Sequence, residues 1–192
     1  LGETEAFLRD TKGMVLSRQQ VLDPYMILGG IPYYLDMLEV GRPLDESIDR
    51  LFFAQGAPLA NEFEFLFRSL FKDSKNYRRV VEVLSTKMKG MSRKELIEAL
   101  KLKGGGQLSE ILDNLLKCDF IRKYSAIGKS ERDALYQLTD LFSLYHLRFV
   151  ANSNGQDERF WSNMRNDGSR TAWSGYAFEQ ICFHHIPQIK KT

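Results

Sequence analysis

Residues 92–116 read SRKELIEALKLKGGGQLSEILDNLL, and this stretch decides the fold of the middle of the chain. It opens with a capping box, in which Ser92 and Glu95 satisfy the first backbone N–H groups of a helix. Three glycines at 104–106 end that helix, and apolar residues then recur at helical spacing over 108–116. The stretch therefore predicts two short helices joined by a glycine-rich turn.

The flanking residues complete the order of a winged helix-turn-helix. A helix is predicted over 77–88, ahead of the two short ones, because its apolar residues keep helical spacing. After them, strand-like runs at 120–127 and 134–138 flank a polar turn at 128–133 and predict a β-hairpin. Helix, helix, helix and hairpin is the order of this motif, which many DNA-binding proteins use.

Residues 1–73 are predicted to form a small helical bundle. Asp23 is placed to cap a helix that has Pro24 at its first position, and Gly-Gly-Ile-Pro at 29–32 then breaks the helix before it resumes. Further on, three phenylalanines recur on one helix face: Phe63, Phe67 and Phe71. Such a stripe favours packed core over a cofactor site.

Residues 151–192 begin with a polar linker and end in a predicted helix over 176–186. Because the chain starts with Leu1 rather than Met and stops just after this helix, we expect a piece of a longer protein whose C-terminal domain is truncated. The predicted fold class is thus mainly α, with a helical bundle over 1–73, a winged helix-turn-helix with a short β-hairpin over 74–150, and a linker and truncated segment over 151–192.

The composition excludes several classes of protein. With 192 residues and 43% hydrophobic residues the chain can fill a core, which excludes disordered and fibrous proteins. Cys118 and Cys182 are too few for a disulfide framework and are expected to be free thiols in a reducing compartment. No apolar run reaches the ~18 residues of a membrane span, and no signal peptide is recognised. We therefore expect a cytoplasmic protein with no membrane partner.

The net charge of +2 conceals an uneven distribution. The formal charge is −5 over 1–73, +6 over 74–150 and +1 over 151–192. A basic segment attracts phosphate-bearing ligands, but Lys and Arg side chains also solvate helix faces that bind nothing. Both interpretations of the basic middle segment stay open.

The predicted third helix would enter the major groove, yet its outward face carries Glu110 and Asp113 against one lysine, Lys117. Asn114 on that face is a candidate for reading an adenine. Positive charge lies on the flanks, from which phosphate contacts give salt-sensitive and weakly specific affinity. A winged helix that docks onto a protein is the alternative. The candidate nucleic-acid-binding residues are Arg93, Lys94, Lys101, Lys103, Asn114, Arg122, Lys123, Lys129 and Arg132.

No catalytic centre is recognised in the sequence. The triple glycine is followed by Gln107 and Leu108, whereas a phosphate-binding loop needs a lysine and a hydroxyl at that spacing. The run Cys-Phe-His-His at 182–185 lacks a second cluster of zinc ligands, and no nucleophile elbow occurs. We predict no catalytic residue and no metal site.

Residues 25–35, YMILGGIPYYL, resemble the Y-x-x-x-G-G-x-P-x-Y-L signature in the lid of the archaeal-type ATPases, a branch of the AAA+/STAND P-loop NTPases. The resemblance continues through 62–71, the winged helix and 136–140. It ends at 173–179, WSGYAFE, which is similar to the opening of the family's DUF234-type C-terminal domain, a relative of restriction-endonuclease-like nucleases. Nearly the whole chain is covered.

The resemblance implies that a P-loop core precedes Leu1, and that ATP and Mg²⁺ bind in the full-length protein with no cofactor held by these residues alone. It implies that Gly30 and Pro32 form a lid turn that closes over bound nucleotide, although a helix break caused by glycine and proline needs no nucleotide. Glu179 matches the first acidic position of the nuclease-like helix, but the later Asp and Glu-x-Lys elements are absent.

Three functions follow from these patterns. The first is the C-terminal part of an AAA+/STAND-type ATPase, which couples nucleotide state to a winged-helix surface for DNA or a protein partner. This part has no catalysis of its own, and its other partner is its own P-loop domain. The second is a stand-alone winged-helix transcription regulator. The third is a metal-dependent nuclease or toxin-like effector that acts through Glu179.

Overall fold

The computed structural model describes residues 1–102, 104–125 and 134–190. Over these residues the protein is mainly helical and has one small antiparallel sheet of three strands, in agreement with the predicted fold class. Within the same ranges, no helix combines the length and the apolar character needed to cross a bilayer. The chain divides into two compact units, a helical unit of Leu1–Ala60 with Leu141–Thr192 and a winged-helix unit of Asn61–Asp140.

The first and last parts of the chain form the helical unit, and the part between them forms the winged-helix unit. The helical unit first contributes α1 (Gly2–Ala6), a π-helical segment (Phe7–Thr11), α2 (Arg18–Leu28), α3 (Pro32–Asp36) and α4 (Leu44–Phe52). The winged-helix unit follows with α5 (Glu62–Leu70), α6 (Ser74–Ser85), β1 (Met91–Ser92), α7 (Arg93–Ala99), α8 (Gly106–Lys117), β2 (Ile121–Tyr124) and β3 (Leu135–Leu138). The chain then returns as α9 (Leu141–Tyr145), a π-helical segment (His146–Val150), α10 (Phe160–Asn163), α11 (Gly168–His184) and α12 (Ile186–Ile189). The predicted segments end at residues 73 and 150, whereas the chain passes from one unit to the other after residues 60 and 140.

An aromatic core joins the two segments of the helical unit. Tyr145 is fully buried, and its ring centre lies 5.1 Å from that of Trp161 and 5.4 Å from that of Trp173. Phe52 of α4 packs edge-on against Tyr145 at 5.1 Å. Large rings that pack in this way contribute much of the hydrophobic free energy of a core. The tryptophans of the predicted C-terminal segment therefore belong to the same core as α4.

Two aspartates of α4 bind residues that follow the linker. The Asp49 carboxylate accepts hydrogen bonds from the backbone N–H groups of Trp161 (2.7 Å) and Ser162 (3.2 Å) and from the Ser162 hydroxyl, so it caps the start of α10. Asp45 accepts a hydrogen bond from Arg170 at 2.6 Å. Burial raises the pKa of the Asp49 carboxyl, and its hydrogen bonds to Ser162 and Trp161 oppose that rise. These contacts tie α4 to α10 and α11.

Helix α2 starts earlier than predicted, and the predicted cap at Asp23 is wrong. The N-cap is Ser17, whose hydroxyl accepts a hydrogen bond from the Gln20 N–H while the Gln20 side chain accepts one from the Ser17 N–H. This capping box satisfies two N–H groups near the helix start that have no partner within the helix. Pro24 lies inside the helix, because the capping box outweighs the preference of proline for the first position.

The predicted helix break is confirmed. Gly29 and Gly30 have φ angles of 70° and 73°, a left-handed conformation that glycine adopts without steric cost. Ile31 is extended, and Pro32 opens α3 in the first turn, where its missing N–H is not needed. A Cβ on Gly30 would lie 2.5 Å from Cε2 of Tyr25, so the ring leaves no room for a side chain.

The winged-helix unit has the predicted order of three helices and a hairpin. Ser92 and Glu95 form the predicted capping box of α7. Strands β2 and β3 pair antiparallel, with Arg122 opposite Gln137. The sequence does not predict β1, which has two residues and pairs with the other edge of β3 to give the order β1-β3-β2. The predicted polar turn at 128–133 lies outside the described residues.

Aromatic packing places α5 in the winged-helix unit. The ring centre of Phe67 lies 4.9 Å from that of Phe120, and Phe71 stacks on Tyr77 at 4.0 Å. Phe63, Phe67 and Phe71 are all buried, so the predicted core stripe is confirmed. The unit therefore begins before α5, because rings of this stripe pack on Phe120 and Tyr77 of its core.

Replacing Asp49 with alanine should destabilise the helical unit. The change removes the acceptor for the N–H groups of Trp161 and Ser162, and a buried hydrogen bond left unmade costs about 1–3 kcal/mol. Urea unfolding followed by tryptophan fluorescence measures the change, since both tryptophans lie in this core. Asp10→Ala, at an exposed pair with Arg9, is the control and should change the free energy of unfolding by less than about 0.5 kcal/mol. Equal effects of the two changes would contradict the capping role.

Replacing Gly30 with alanine should also destabilise the fold. Its positive φ and the close Tyr25 ring together predict a loss of about 1–3 kcal/mol. Gly175 is the matched control, because it lies inside α11 and a Cβ there would meet no atom within 4 Å. Gly175→Ala should raise the free energy of unfolding by about 0.5–1 kcal/mol. Thermal unfolding followed by circular dichroism measures both changes in stability. A neutral or stabilising effect of Gly30→Ala would show that the helix break tolerates a side chain at this position.

Candidate nucleic-acid interface

The candidate nucleic-acid-binding residues fall into three groups. Three are half-buried and bonded to other residues of the winged-helix unit: Arg93, Asn114 and Arg122. Three are exposed lysines: Lys94, Lys101 and Lys123. The remaining three lie outside the described residues: Lys103, Lys129 and Arg132.

Arg93 binds the glycine-rich turn before α8. Its Nη2 donates to the Gly105 carbonyl at 2.5 Å and to Oγ of Ser109 at 2.7 Å. A Cβ on Gly105 would lie 2.6 Å from the same nitrogen, so the contact requires a residue without a side chain. This glycine therefore serves the packing of α7 against the start of α8.

Asn114 holds α8 against α6. Its Nδ2 donates to the Tyr77 hydroxyl at 2.7 Å, and an adenine contact would have to replace this hydrogen bond. The exposed charged side chains of α8 are Glu110, Asp113 and Lys117. Two carboxylates on the face that would enter the groove repel phosphate. The helix is therefore a poor reader of base edges.

The hairpin of β2 and β3, which is the wing of the motif, is joined to the turn that precedes β1. Arg122 Nε donates to Oε1 of Gln137 at 2.7 Å, and its guanidinium lies 5.6 Å from the centre of the Tyr124 ring. Nε2 of Gln137 donates to the Met88 carbonyl at 2.5 Å. The Tyr124 hydroxyl donates to the Lys89 carbonyl at 2.5 Å. We call the surface formed by Met88, Lys89, Arg122 and Tyr124 the wing–turn surface.

The sequence alone does not identify Met88 and Lys89 as neighbours of the hairpin. They lie in the turn between α6 and β1, and β1 is too short to give a recognisable strand pattern. Without that strand, nothing in the sequence places the turn beside the hairpin. The Lys-Met-Lys run at 87–89 is the only signal, and it is weak because lysines are common on solvated turns.

Lys87 and Lys89 have different electrostatic surroundings. Lys87 Nζ lies 2.5 Å from Oε1 of Glu95, and this contact lowers the pKa of Glu95 to about 2, helped by hydrogen bonds from Ser92. No carboxylate of the described ranges lies within ion-pair distance of Lys89. The charge of Lys89 is therefore not locally compensated by the residues whose positions are described.

The exposed lysines lie on other parts of the unit. Lys94 lies in the first turn of α7, and Lys101 follows that helix with a φ of 55°. Lys123 alternates with Arg122 and Tyr124 along β2, so it lies on the opposite face of the sheet from the wing–turn surface. These three lysines contribute positive charge that is open to solvent.

The candidate cofactor-binding residues Gly30 and Pro32 belong to the helical unit. This unit contains a cavity of about 190 Å³ with Leu38 and Arg42 in its wall, and neither Gly30 nor Pro32 lines it. Arg42 is already bound to Glu39 at 2.8 Å.

The two cysteines and Glu179 are the remaining candidate reactive side chains. Cys118 and Cys182 are free thiols, as predicted. Glu179 is exposed on α11. The part of the chain that the structure describes contains no cluster of three or more His, Cys, Asp or Glu side chains able to hold a metal ion.

Comparisons with protein-family profiles, with curated proteins and with solved structures find no match. No residue role can therefore be carried over from a relative. The candidate interface is defined by contacts within the winged-helix unit, above all those that join the hairpin to the turn before β1.

Replacing Glu95 with glutamine should remove a pH-dependent part of the stability. The folded-state pKa of about 2 lies below the ordinary value of 4.5, so the ionised carboxylate stabilises the fold above about pH 5. This stabilisation is lost as the pH falls through 4.5 towards about 2. Glutamine can keep the capping-box hydrogen bond with Ser92 but not the ion pair with Lys87. We expect the wild-type protein to be more stable than Glu95→Gln by about 0.5–1 kcal/mol at neutral pH. Near pH 2 the two proteins should be equally stable.

Urea unfolding at several pH values, followed by circular dichroism, measures this difference. The control is Glu98→Gln on the exposed face of α7, which removes a carboxylate from the same helix and should change the free energy of unfolding at neutral pH by less than about 0.5 kcal/mol. A Glu95→Gln effect of equal size at neutral pH and at pH 2 would assign the stabilisation to the capping box alone.

Proposed function

We propose that this chain is the lid and winged-helix part of an AAA+/STAND-type ATPase of the cytoplasm. In this proposal a P-loop domain of the same protein binds ATP and Mg²⁺, and the helical unit closes over the nucleotide through Gly30 and Pro32. The winged-helix unit carries the surface that contacts DNA or a protein partner. These 192 residues couple nucleotide state to that surface and do not hydrolyse ATP themselves.

The broken helix between α2 and α3 is the observation that carries the proposal. The break coincides with the stretch that resembles the lid signature, and its geometry depends on Gly29 and Gly30 in left-handed conformations. Tyr33 directly after the break is 66% exposed. An exposed aromatic side chain beside a conformationally fixed turn is suited to contact another domain. The proposal assigns this contact to the P-loop domain.

Charge and side-chain geometry support phosphate contact by the winged-helix unit. Residues 61–140 carry 16 Lys and Arg against 12 Asp and Glu, while the rest of the chain carries a net charge of −2. Asn114 is bonded within the unit and α8 exposes two carboxylates, so α8 is poorly suited to read bases. Contacts from lysines to the nucleic-acid backbone give salt-sensitive binding with little sequence preference.

A stand-alone winged-helix transcription regulator is the second candidate. The net positive charge of residues 61–140 favours it, because a basic domain raises the local concentration of DNA. This function requires side chains that read base edges, whereas Asn114 is bonded to Tyr77. The two candidates therefore differ in the sequence preference that they predict.

The purified chain should show no ATP turnover and should bind DNA weakly without sequence preference. Phosphate release measures the first property, with an ATPase of known activity as a positive control. Fluorescence anisotropy with two duplexes of unrelated sequence measures the second. We expect equal dissociation constants for the two duplexes, and at least about a tenfold weakening between about 50 and 200 mM salt.

The possible outcomes separate the candidates. Measurable ATP turnover by these residues alone would contradict the proposed division between an ATPase domain and this part. Nanomolar affinity for one operator-like duplex selected from a random pool would favour the transcription regulator. Metal-dependent cleavage that is lost in Glu179→Ala would favour the nuclease.

A further inference from the structure

We propose that a cavity of the helical unit binds an arginine side chain supplied by a partner protein. The cavity has a volume of about 190 Å³ and is lined by the loop before α2, by α2 itself and by the segment 38–47. We call it the Asp23 pocket. All its lining residues belong to the helical unit, and neither Gly30 nor Pro32 is among them, so the pocket goes beyond the proposed function.

The size and the walls of the Asp23 pocket suit one long side chain. A volume of about 190 Å³ is below the ~300–1,000 Å³ of sites that enclose a whole small molecule. Six of the ten lining residues are apolar: Met14, Leu16, Pro24, Leu38, Pro43 and Leu44. Arginine packs its aliphatic stem along such walls and keeps its charged head near water. The pocket therefore accepts a side chain that is apolar along its length and polar at its tip.

Asp23 provides the negative charge of the pocket. Its carboxylate makes no hydrogen bond or ion pair with the residues that the structure describes. Burial raises the pKa of this carboxyl, Arg170 opposes the rise and Asp45 adds to it. Arg170 itself donates to Asp45 at 2.6 Å and to the Trp161 carbonyl at 3.0 Å. The partly desolvated carboxylate of Asp23 is therefore available to accept hydrogen bonds from a further cation.

The other polar side chains of the pocket have partners of their own. The guanidinium of Arg42 is bound to Glu39 at 2.8 Å and lies 3.9 Å from a carboxylate oxygen of Glu46. The Ser47 hydroxyl donates to a backbone carbonyl one turn earlier, and Oε1 of Gln20 accepts the hydrogen bond of the capping box. Since two carboxylates compensate the charge of Arg42, Asp23 decides which sign of charge the pocket favours.

Contacts of the loop before α2 hold one wall of the pocket in place. Nζ of Lys12 donates to the Asp36 carbonyl at 2.5 Å and lies 3.2 Å from the carboxylate of the same residue. The Met14 N–H donates to the Leu8 carbonyl at 2.8 Å. A wall that is already ordered loses little conformational entropy when a side chain enters. The pocket is thus formed before its ligand arrives.

The surroundings of the pocket favour a basic protein as the source of the arginine. Residues 1–60 include the whole pocket and carry nine Asp and Glu against five Lys and Arg, a net charge of −4. Such a charge attracts a basic partner. Val15 stands between two lining residues in sequence and is 88% exposed, so its apolar side chain is open to contact with a protein surface.

Arginine fits the carboxylate better than lysine does. A guanidinium forms two parallel hydrogen bonds with one carboxylate, whereas an ammonium acts as a point charge. The guanidinium is also more weakly hydrated, so less hydration is lost when it enters a partly desolvated site. The proposal therefore assigns arginine to the Asp23 pocket.

The test measures binding of three capped tripeptides to the 192-residue chain by amide NMR. Each has two glycines around a central arginine, lysine or citrulline, and citrulline keeps the shape of arginine without its charge. The arginine peptide should shift the signals of Leu16 and Leu44, with a dissociation constant on the order of 1 mM. The citrulline peptide should bind about fivefold more weakly or worse, and the lysine peptide should also bind more weakly.

Two variants separate the pocket from net charge. Asp23→Asn should weaken binding of the arginine peptide about fivefold or more, because the carboxylate is lost. Asp10→Asn removes the same charge from an exposed position outside the pocket, and should leave binding within about twofold of the wild-type protein. Unchanged thermal unfolding of both variants checks that they are folded.

Each other result would overturn the inference. Equal losses for the two variants would assign the attraction to net charge and reject the pocket, as would the absence of shifts at the pocket. Equal binding of the arginine and citrulline peptides would reject a charged ligand, and tighter binding of the lysine peptide would reject arginine. Tighter binding of n-butylguanidinium than of the arginine peptide would replace the protein partner with a small guanidine. None of these results concerns ATP turnover or DNA binding, so the proposed function would stand.

Discussion

The hydrogen bonds that Asp49 accepts join two parts of the chain that lie 112 residues apart in sequence. Burial of this carboxylate is unfavourable by itself, and the N–H groups of Trp161 and Ser162 compensate for its lost hydration. The aromatic core around Tyr145 forms between the same two segments. The helical unit therefore depends on contacts between residues on either side of the winged-helix unit in the sequence.

The features of the fold that the sequence predicts are local ones. The capping box of Ser92 and Glu95 and the break at Gly29 and Gly30 each depend on a few adjacent residues, so their chemistry is visible in the sequence. The error at Asp23 arises where two local signals compete, since a proline and a capping box both indicate a helix start. The pairing of α4 with α10 is not predictable in this way, because no local pattern indicates which distant N–H groups a carboxylate will bind.

The candidate interface shows the same limit. Composition correctly indicates a basic winged-helix unit, but it cannot distinguish a cation that binds its own protein from one that is open to a ligand. Arg93 and Asn114 have their polar groups in hydrogen bonds within the unit. Lys89 becomes a candidate only because β1, Gln137 and Tyr124 bring its turn onto the sheet. Packing therefore decides which charges are available, and packing depends on residues far apart in sequence.

Because the helical unit takes residues from both sides of the winged-helix unit, a ribosome delivers its two halves at different times. At ~5–20 residues per second, synthesis of the residues from 61 to 184 takes on the order of 10 s. During that interval α2 and Phe52 lack their packing partners from α9 to α11, whereas the winged-helix unit has its whole sequence as soon as residue 140 has been added. A chaperone that covers apolar nascent chain thus has several seconds to bind the first sixty residues, until Trp161 and Trp173 have emerged.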